Sequence, residues 1–191
     1  MPQDLTRERI LDAAMSRMLK FGYRKVTMDE IAQDLTMSKN TIYKHFQSKV
    51  EIAEALFGRL QGEINHELSL IEETNSDPVE IISKNIFFLQ QRLTPWFEHF
   101  IGDIKMEVPE LWNRFIQFRN EKISEIKALV ETGIKKGKFR KVNSALAVRM
   151  YMGAIDHVLN PEFLEKERIS FSDALEGVLD IWSEGIVLGR G

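Results

Sequence analysis

Apolar positions recur at helical spacing along almost the whole chain, while the strict alternation that marks a half-buried strand is nearly absent. Ile10, Ala14, Met18 and Phe21 stand at i, i+4, i+8 and i+11 and predict a helix over roughly residues 6–21. Gly22 follows, where a chain commonly leaves a helix in the left-handed conformation. Three helix starts then come in quick succession. Thr27 and Glu30 form a capping box, with Val26 and Ile31 placed as a hydrophobic staple. Ser38 is a second N-cap, with Met37 and Ile42 at staple spacing, and Ser48 with Glu51 is a second capping box. These caps leave room for two short helices joined by a tight turn, behind a longer one. That is the layout of a helix-turn-helix.

From Ser48 a longer helix is expected to about Ile71. The Asn75-Ser76-Asp77-Pro78 break restarts the chain with Asp77 as cap and Pro78 in the first turn. Thr94-Pro95 repeats the cap-plus-proline signal, and Val108-Pro109 marks another break. A long helix from Leu111 to about Lys136 ends between Gly133 and Gly137, and helical patterns at about 143–159 and 172–188 flank Asn160-Pro161. The expected class is all-α with about nine helices: a three-helix head over 1–50 and a helical body over 51–191.

Composition narrows the function. The chain has 191 residues, 43% of them hydrophobic, and no cysteine, so it can bury a core without disulfides and has no thiol nucleophile or Cys-based zinc site. The opening MPQDLTRERI lacks the apolar segment of a signal peptide, and no apolar run reaches the ~18 residues of a membrane span, so a soluble, cytoplasmic protein is expected. The net charge of -3 is unevenly spread. Residues 1–50 hold nine Lys/Arg and six Asp/Glu, leaving 17 against 23 in the remainder, so a +3 head sits on a -6 body. A basic head suits a partner rich in phosphate.

The stretch SKNTIYKHF, residues 38–46, shows what such a head could hold. Ile42 and Phe46, four apart, define its inward face, which leaves Lys39, Asn40, Tyr43 and Lys44 pointing mostly outward and Thr41 on the flank. A lysine can donate to guanine and an asparagine matches the donor–acceptor pair of adenine in the major groove. Tyr43, Lys44, Lys49 and the hydroxyl or helix-end amide at Thr27 suit phosphate oxygens. A solvated helix between two others would show a similar pattern; the cap spacing and the charge split favour DNA.

Residues 6–57 closely resemble the DNA-binding domain of TetR-family transcriptional regulators, in the ILDAA helix, the FG turn, the TMDEIA opening and the S-x-x-T-x-Y-x-H-F-x-S-K core. The resemblance implies a homodimer on double-stranded operator DNA, usually a repressor, released by a small molecule bound in the body. It implies a DNA-facing set of Thr27, Ser38, Lys39, Asn40, Thr41, Tyr43, Lys44, His45 and Lys49. Two positions depart from the family pattern. Thr36 stands in the turn where the family usually has glycine, and Asn40 where a small residue is common. Thr36 must therefore take the turn with a side chain.

The body is dense in large apolar side chains. Phe87, Phe88, Arg92, Trp96, Phe97, Phe100, Trp112 and Phe115 are the candidates for a pocket taking a largely apolar effector, with Asn85, His99, Arg114 and Asp156 as further polar positions. Such residues equally serve as plain core. Leu146, Met150 and Ala154, and Leu175, Val178, Leu179, Trp182 and Ile186, form two helical stripes that suit a dimer surface or the monomer's own core. No enzyme motif is present: the four histidines lack metal-ligand spacing, and there is no P-loop, G-x-S-x-G or G-x-G-x-x-G. No metal, cofactor or catalysis is expected. A helical adaptor for protein partners is the alternative; it would not need the outward Lys39, Asn40 and Lys44.

Overall fold

The computed structural model describes residues 2–187, without the side chains of 2–4, 97–99 and 161. Ten helices make up the described residues: α1 (Pro2–Phe21), α2 (Met28–Asp34), α3 (Lys39–His45), α4 (Lys49–Thr74), α5 (Pro78–His99), α6 (Ile101–Glu107), α7 (Pro109–Lys135), α8 (Ser144–Val158), α9 (Pro161–Glu167) and α10 (Phe171–Ile186). The β-pairing among them is one isolated bridge, Phe139 to Val187. The all-α expectation holds. The helices gather into two compact units, residues 1–66 with 95–118, and residues 67–94 with 119–191.

In the first unit the capping chemistry sets the short helices. The Thr27 side chain accepts from the Glu30 amide while the Glu30 carboxylate accepts from the Thr27 amide, which closes the predicted box. Ser38 caps α3 by accepting from the Thr41 amide at 3.1 Å. At α4 the box is shifted by one residue: Ser48 accepts from the Glu51 amide, but the Glu51 carboxylate takes the amide of Gln47. Thr36 sits at φ 54, the left-handed conformation expected of it without glycine's freedom. Ile10, Ala14 and Met18 are buried as predicted, joined by Leu11, whereas Phe21 lies at the end of α1 and is 45% exposed. Ile42 and Phe46 are fully buried, each worth about 2–3 kcal/mol of transfer free energy, and they fix which face of α3 points outward.

The Thr94-Pro95 break does not occur. α5 runs through Pro95 to His99, with the Thr94 hydroxyl donating to the Gln90 carbonyl at 2.7 Å instead of capping a new helix. Proline removes one backbone donor, but the helix continues because Trp96, just beyond, is buried against Phe100 with rings 4.9 Å apart. The sequence also hides α9. Asn160 caps it by accepting from the amides of Glu162 and Phe163, and Arg168 ends it at φ 56.

In the second unit Ile82, Ile86, Ile126, Val130, Phe139, Val148, Tyr151, Trp182 and Ile186 form one buried cluster. Gly133 is there for Phe139: a Cβ at 133 would stand 2.1 Å from its ring. Trp182 donates from its indole to the Ala147 carbonyl at 2.8 Å, and its ring lies 5.1 Å from that of Tyr151. Trp182 and Ile186 therefore serve the core of this unit. The α8–α10 stripes turn a different set outward, with Leu146, Met150 and Ile181 being 58%, 64% and 78% exposed. Ala154, Leu175, Val178 and Leu179 are half-buried.

Candidate nucleic-acid interface

α3 projects its polar side chains from a fully buried anchor. Asn40 and Lys44 are exposed and have no side-chain hydrogen-bond or ion-pair partner among the described residues. Tyr43 is exposed beside them, and its backbone carbonyl accepts from the Gln47 side chain at 2.9 Å. Thr41 and His45 lie half-buried on the flanks. The Ser38 hydroxyl is shared between the Thr41 amide and the Thr41 hydroxyl, 2.8 Å away. Asn40, Tyr43 and Lys44 thus offer an amide, a phenol and a cation on the outward side of one short, capped helix.

Three further predicted positions are engaged within the protein. The Thr27 hydroxyl donates to Glu30 as well as capping α2, so its own polar capacity is largely spent there. Lys39 pairs with Asp29 of α2 at 2.5 Å. Lys49 is turned inward: its ammonium donates to the Tyr23 carbonyl at 3.0 Å and lies 4.2 Å from the centre of the Tyr23 ring. Burial pulls its pKa down, opposed by the carboxylates of Glu107, Asp103 and Glu30. Asp29 is the residue that sequence inspection missed. Its partner is ten positions away across a turn, and no local pattern announces that pair.

Further ion pairs brace the head. Arg17 of α1 holds Asp34 and, at 3.2 Å, Glu30, and the Arg17 hydrogen bond keeps the Asp34 carboxyl below its ordinary range. Ahead of α2, the Arg24 amide donates to Asp103 at 2.8 Å and its guanidinium to Glu107 at 2.6 Å, which ties the α1–α2 turn to α6. The Arg7 guanidinium sits 4.7 Å over the Phe46 ring at the end of α3.

The predicted effector residues are divided between the two units. Phe87 is 57% exposed, and Phe88 and Arg92 are half-buried, all three in the second unit. Trp96, Phe100 and Phe115 are buried in the first unit, where Trp112 stacks on Phe115 at 5.5 Å. Phe115 also meets Phe57 at 6.1 Å, so this aromatic set is a packed core. The side chains of Phe97 and His99 lie outside the described residues. Arg114 pairs with Glu54 at 3.3 Å and Asp156 with Arg119 at 2.5 Å. Asn85 is buried with its side-chain oxygen unpartnered.

Residues 10–56, the segment that contains this helix-turn-helix, match the family model of bacterial regulatory proteins of the tetR family. The chain is 30% identical over 156 residues to the uncharacterized HTH-type transcriptional regulator YvkB of Bacillus subtilis, covering 78% of this chain and 79% of that one. The chain belongs to the TetR family of transcriptional regulators. Another B. subtilis regulator, YvaF, is 26% identical over 180 residues, with 94% of each chain covered. A transcriptional regulator from Saccharomonospora viridis, solved in complex with choline, shares the fold at a TM-score of 0.78 and 21% identity, with 97% of this chain and 100% of that one covered. In this TetR-family chain α2 and α3 are thus the helix-turn-helix of a DNA-binding regulator. The family and these relatives are transcriptional regulators. Among the described residues no helix is long and apolar enough to cross a membrane.

Proposed function

We propose that this TetR-family regulator is a cytoplasmic homodimeric repressor, held on its operator by α3 and released when a small, largely apolar effector binds the body. The observation that carries this reading is the outward face of α3, where Asn40, Tyr43 and Lys44 stand exposed on a helix anchored by Ile42 and Phe46. Asn40 reads a base edge, and Tyr43 and Lys44 meet phosphate. Ser38, Thr41 and His45 approach the groove from the flanks. Lys39 joins them on leaving Asp29. Thr27 meets phosphate on giving up its bonds to Glu30, and Lys49 works from behind by positioning the Tyr23 turn.

Residues 1–50 act as the DNA-binding head and 51–191 as the effector-binding and dimerisation body. Leu146, Met150 and Ile181 support pairing through α8 and α10, because exposed apolar side chains on packed neighbouring helices are what an isologous interface covers. A two-fold axis then sets the two α3 helices about 34–36 Å apart, one DNA turn. The effector acts by its differential affinity for two states of the dimer, and α4, which has residues in both units, is the path between body and head.

Fluorescence anisotropy with DNA flanking the coding region, at two salt concentrations and against random competitor, tests this reading. Tight, salt-sensitive and competitor-resistant binding is the expected result. Binding that random DNA abolishes, followed by failure of a genome-wide selection to enrich any site, would remove it.

A further inference from the structure

Among the aromatic residues that suggest a ligand pocket, Trp96 packs on Phe100 and Trp112 on Phe115. A cavity of about 630 Å³ opens in the second unit between α7 and α8. Its floor is Ile123, Val148 and Met152, all packed on the buried cluster of that unit. Its rim carries Arg119, Lys127, Arg149 and Asp156. Arg119 is satisfied by Asp156 at 2.5 Å, and Lys127 reaches Glu131 only at 3.6 Å. Arg149 is exposed and has no ion-pair partner among the described residues. With Asp156 on Arg119 and Glu131 beside Lys127, Arg149 is the cation left over at the groove, in a chain whose net charge is -3. The sign of the groove runs against the sign of the protein.

We propose that this groove binds a small amphipathic anion, a single carboxylate or equivalent head on an apolar body. Arg149 takes the head, and Ile123, Val148 and Met152 take the body. The volume falls in the ~300–1,000 Å³ range of small-molecule sites. A cation is disfavoured by the uncompensated Arg149, and a fully polar ligand would leave the apolar floor uncovered. The groove also adjoins the exposed stripe of α8. Gly153 and His157 line it and continue the helical row begun by Leu146 and Met150, and the His157 ring nitrogen Nδ1 lies 3.1 Å from the Gly153 carbonyl. Its regulatory consequence rests on the effector-released repressor proposed above; occupancy would then bear on the pairing face.

The test is calorimetric titration of the full chain with decanoate and with decylammonium, each below its micellar range, using wild type, R149E and K166E. Lys166 is exposed on α9 outside the groove, so K166E makes the same charge change without touching the site. Decanoate is expected to bind wild type and K166E alike and R149E about tenfold or more weakly, the loss of one charge-assisted contact. Decylammonium is expected to bind wild type about tenfold more weakly than decanoate. Absence of decanoate binding, equal binding to R149E, or no preference over decylammonium overturns the proposal. Operator affinity in the same samples separates the two readings. Decanoate that weakens operator binding equally in wild type and R149E keeps the effector and removes the groove. Decanoate that binds through Arg149 without changing operator affinity keeps the groove and removes its role as the effector site.

Discussion

α3 and the α8–α10 pair each bury an apolar stripe, and their difference lies in what they turn outward. α3 shows water an amide, a phenol and a lysine, whereas α8 and α10 show it Leu146, Met150 and Ile181. The inward faces obey the same packing rule and say little about purpose. A polar face whose donors and acceptors are left unengaged invites a polar surface such as a DNA groove. An apolar face left in water invites another apolar face. Function in this molecule is therefore read from the exposed side of each helix.

The comparison breaks most visibly if the apolar outward face is made charged. Met150→Asp with Ile181→Asp is expected to give a monomer by sedimentation with helix content unchanged, and to weaken operator binding by about a hundredfold or more, since one half-site loses its partner. A dimer that survives this change would place the pairing surface elsewhere. The polar face is tested next. Asn40→Ala is expected to cost about 1–3 kcal/mol of operator affinity and to relax the preference at one base position, while Lys44→Ala lowers the salt slope by about one and leaves the preference intact. Equal losses on operator and random DNA for both variants would make Asn40 a mere phosphate contact.

Tyr151 probes the buried side shared by α8 and α10. Burial pushes its hydroxyl up to about 12 from 10.0. The neutral form is thus favoured by folding, so its contribution is complete below pH 10 and lost as the pH rises toward 12. About 2–3 kcal/mol of stability is expected to disappear across that window and to persist in Tyr151→Phe, measured by denaturant midpoint. The smallest effect belongs to Asp29, which holds Lys39 of α3 in an ion pair. Asp29→Asn frees Lys39 and is expected to raise affinity for random DNA about two- to fivefold, the scale of one exposed ion pair, with less gain on the operator. A uniform gain on both would show that Asp29 offsets charge without sharpening selection.

Local chemistry was legible in the chain. The caps at Thr27 and Ser38, the inward Ile42 and Phe46 and the left-handed Thr36 each depend on groups within about four residues, so spacing alone carries them. The outward Asn40, Tyr43 and Lys44 follow from the same periodicity. The comparable signal at Thr94-Pro95 misled, because a proline weakens a helix locally while the burial of Trp96 decides whether it continues. α9 was missed since Asn160-Pro161 reads as a break between two helices, whereas the same residues cap and open a helix of 7 residues.

The chain by itself therefore determined the helical class, the helix-turn-helix and the polar face of α3, all products of backbone capping and side-chain periodicity. Only the tertiary structure decided the pairings between distant positions. It turned Trp182 and Ile186 into the core and left Ile181 outside, set Lys49 on Tyr23 and Lys39 on Asp29, required glycine at 133 beneath Phe139, and packed Trp96 on Phe100 and Trp112 on Phe115 while leaving space between α7 and α8. Each of these depends on which surfaces meet across tens of residues, and a helical repeat states which face is apolar without stating what covers it.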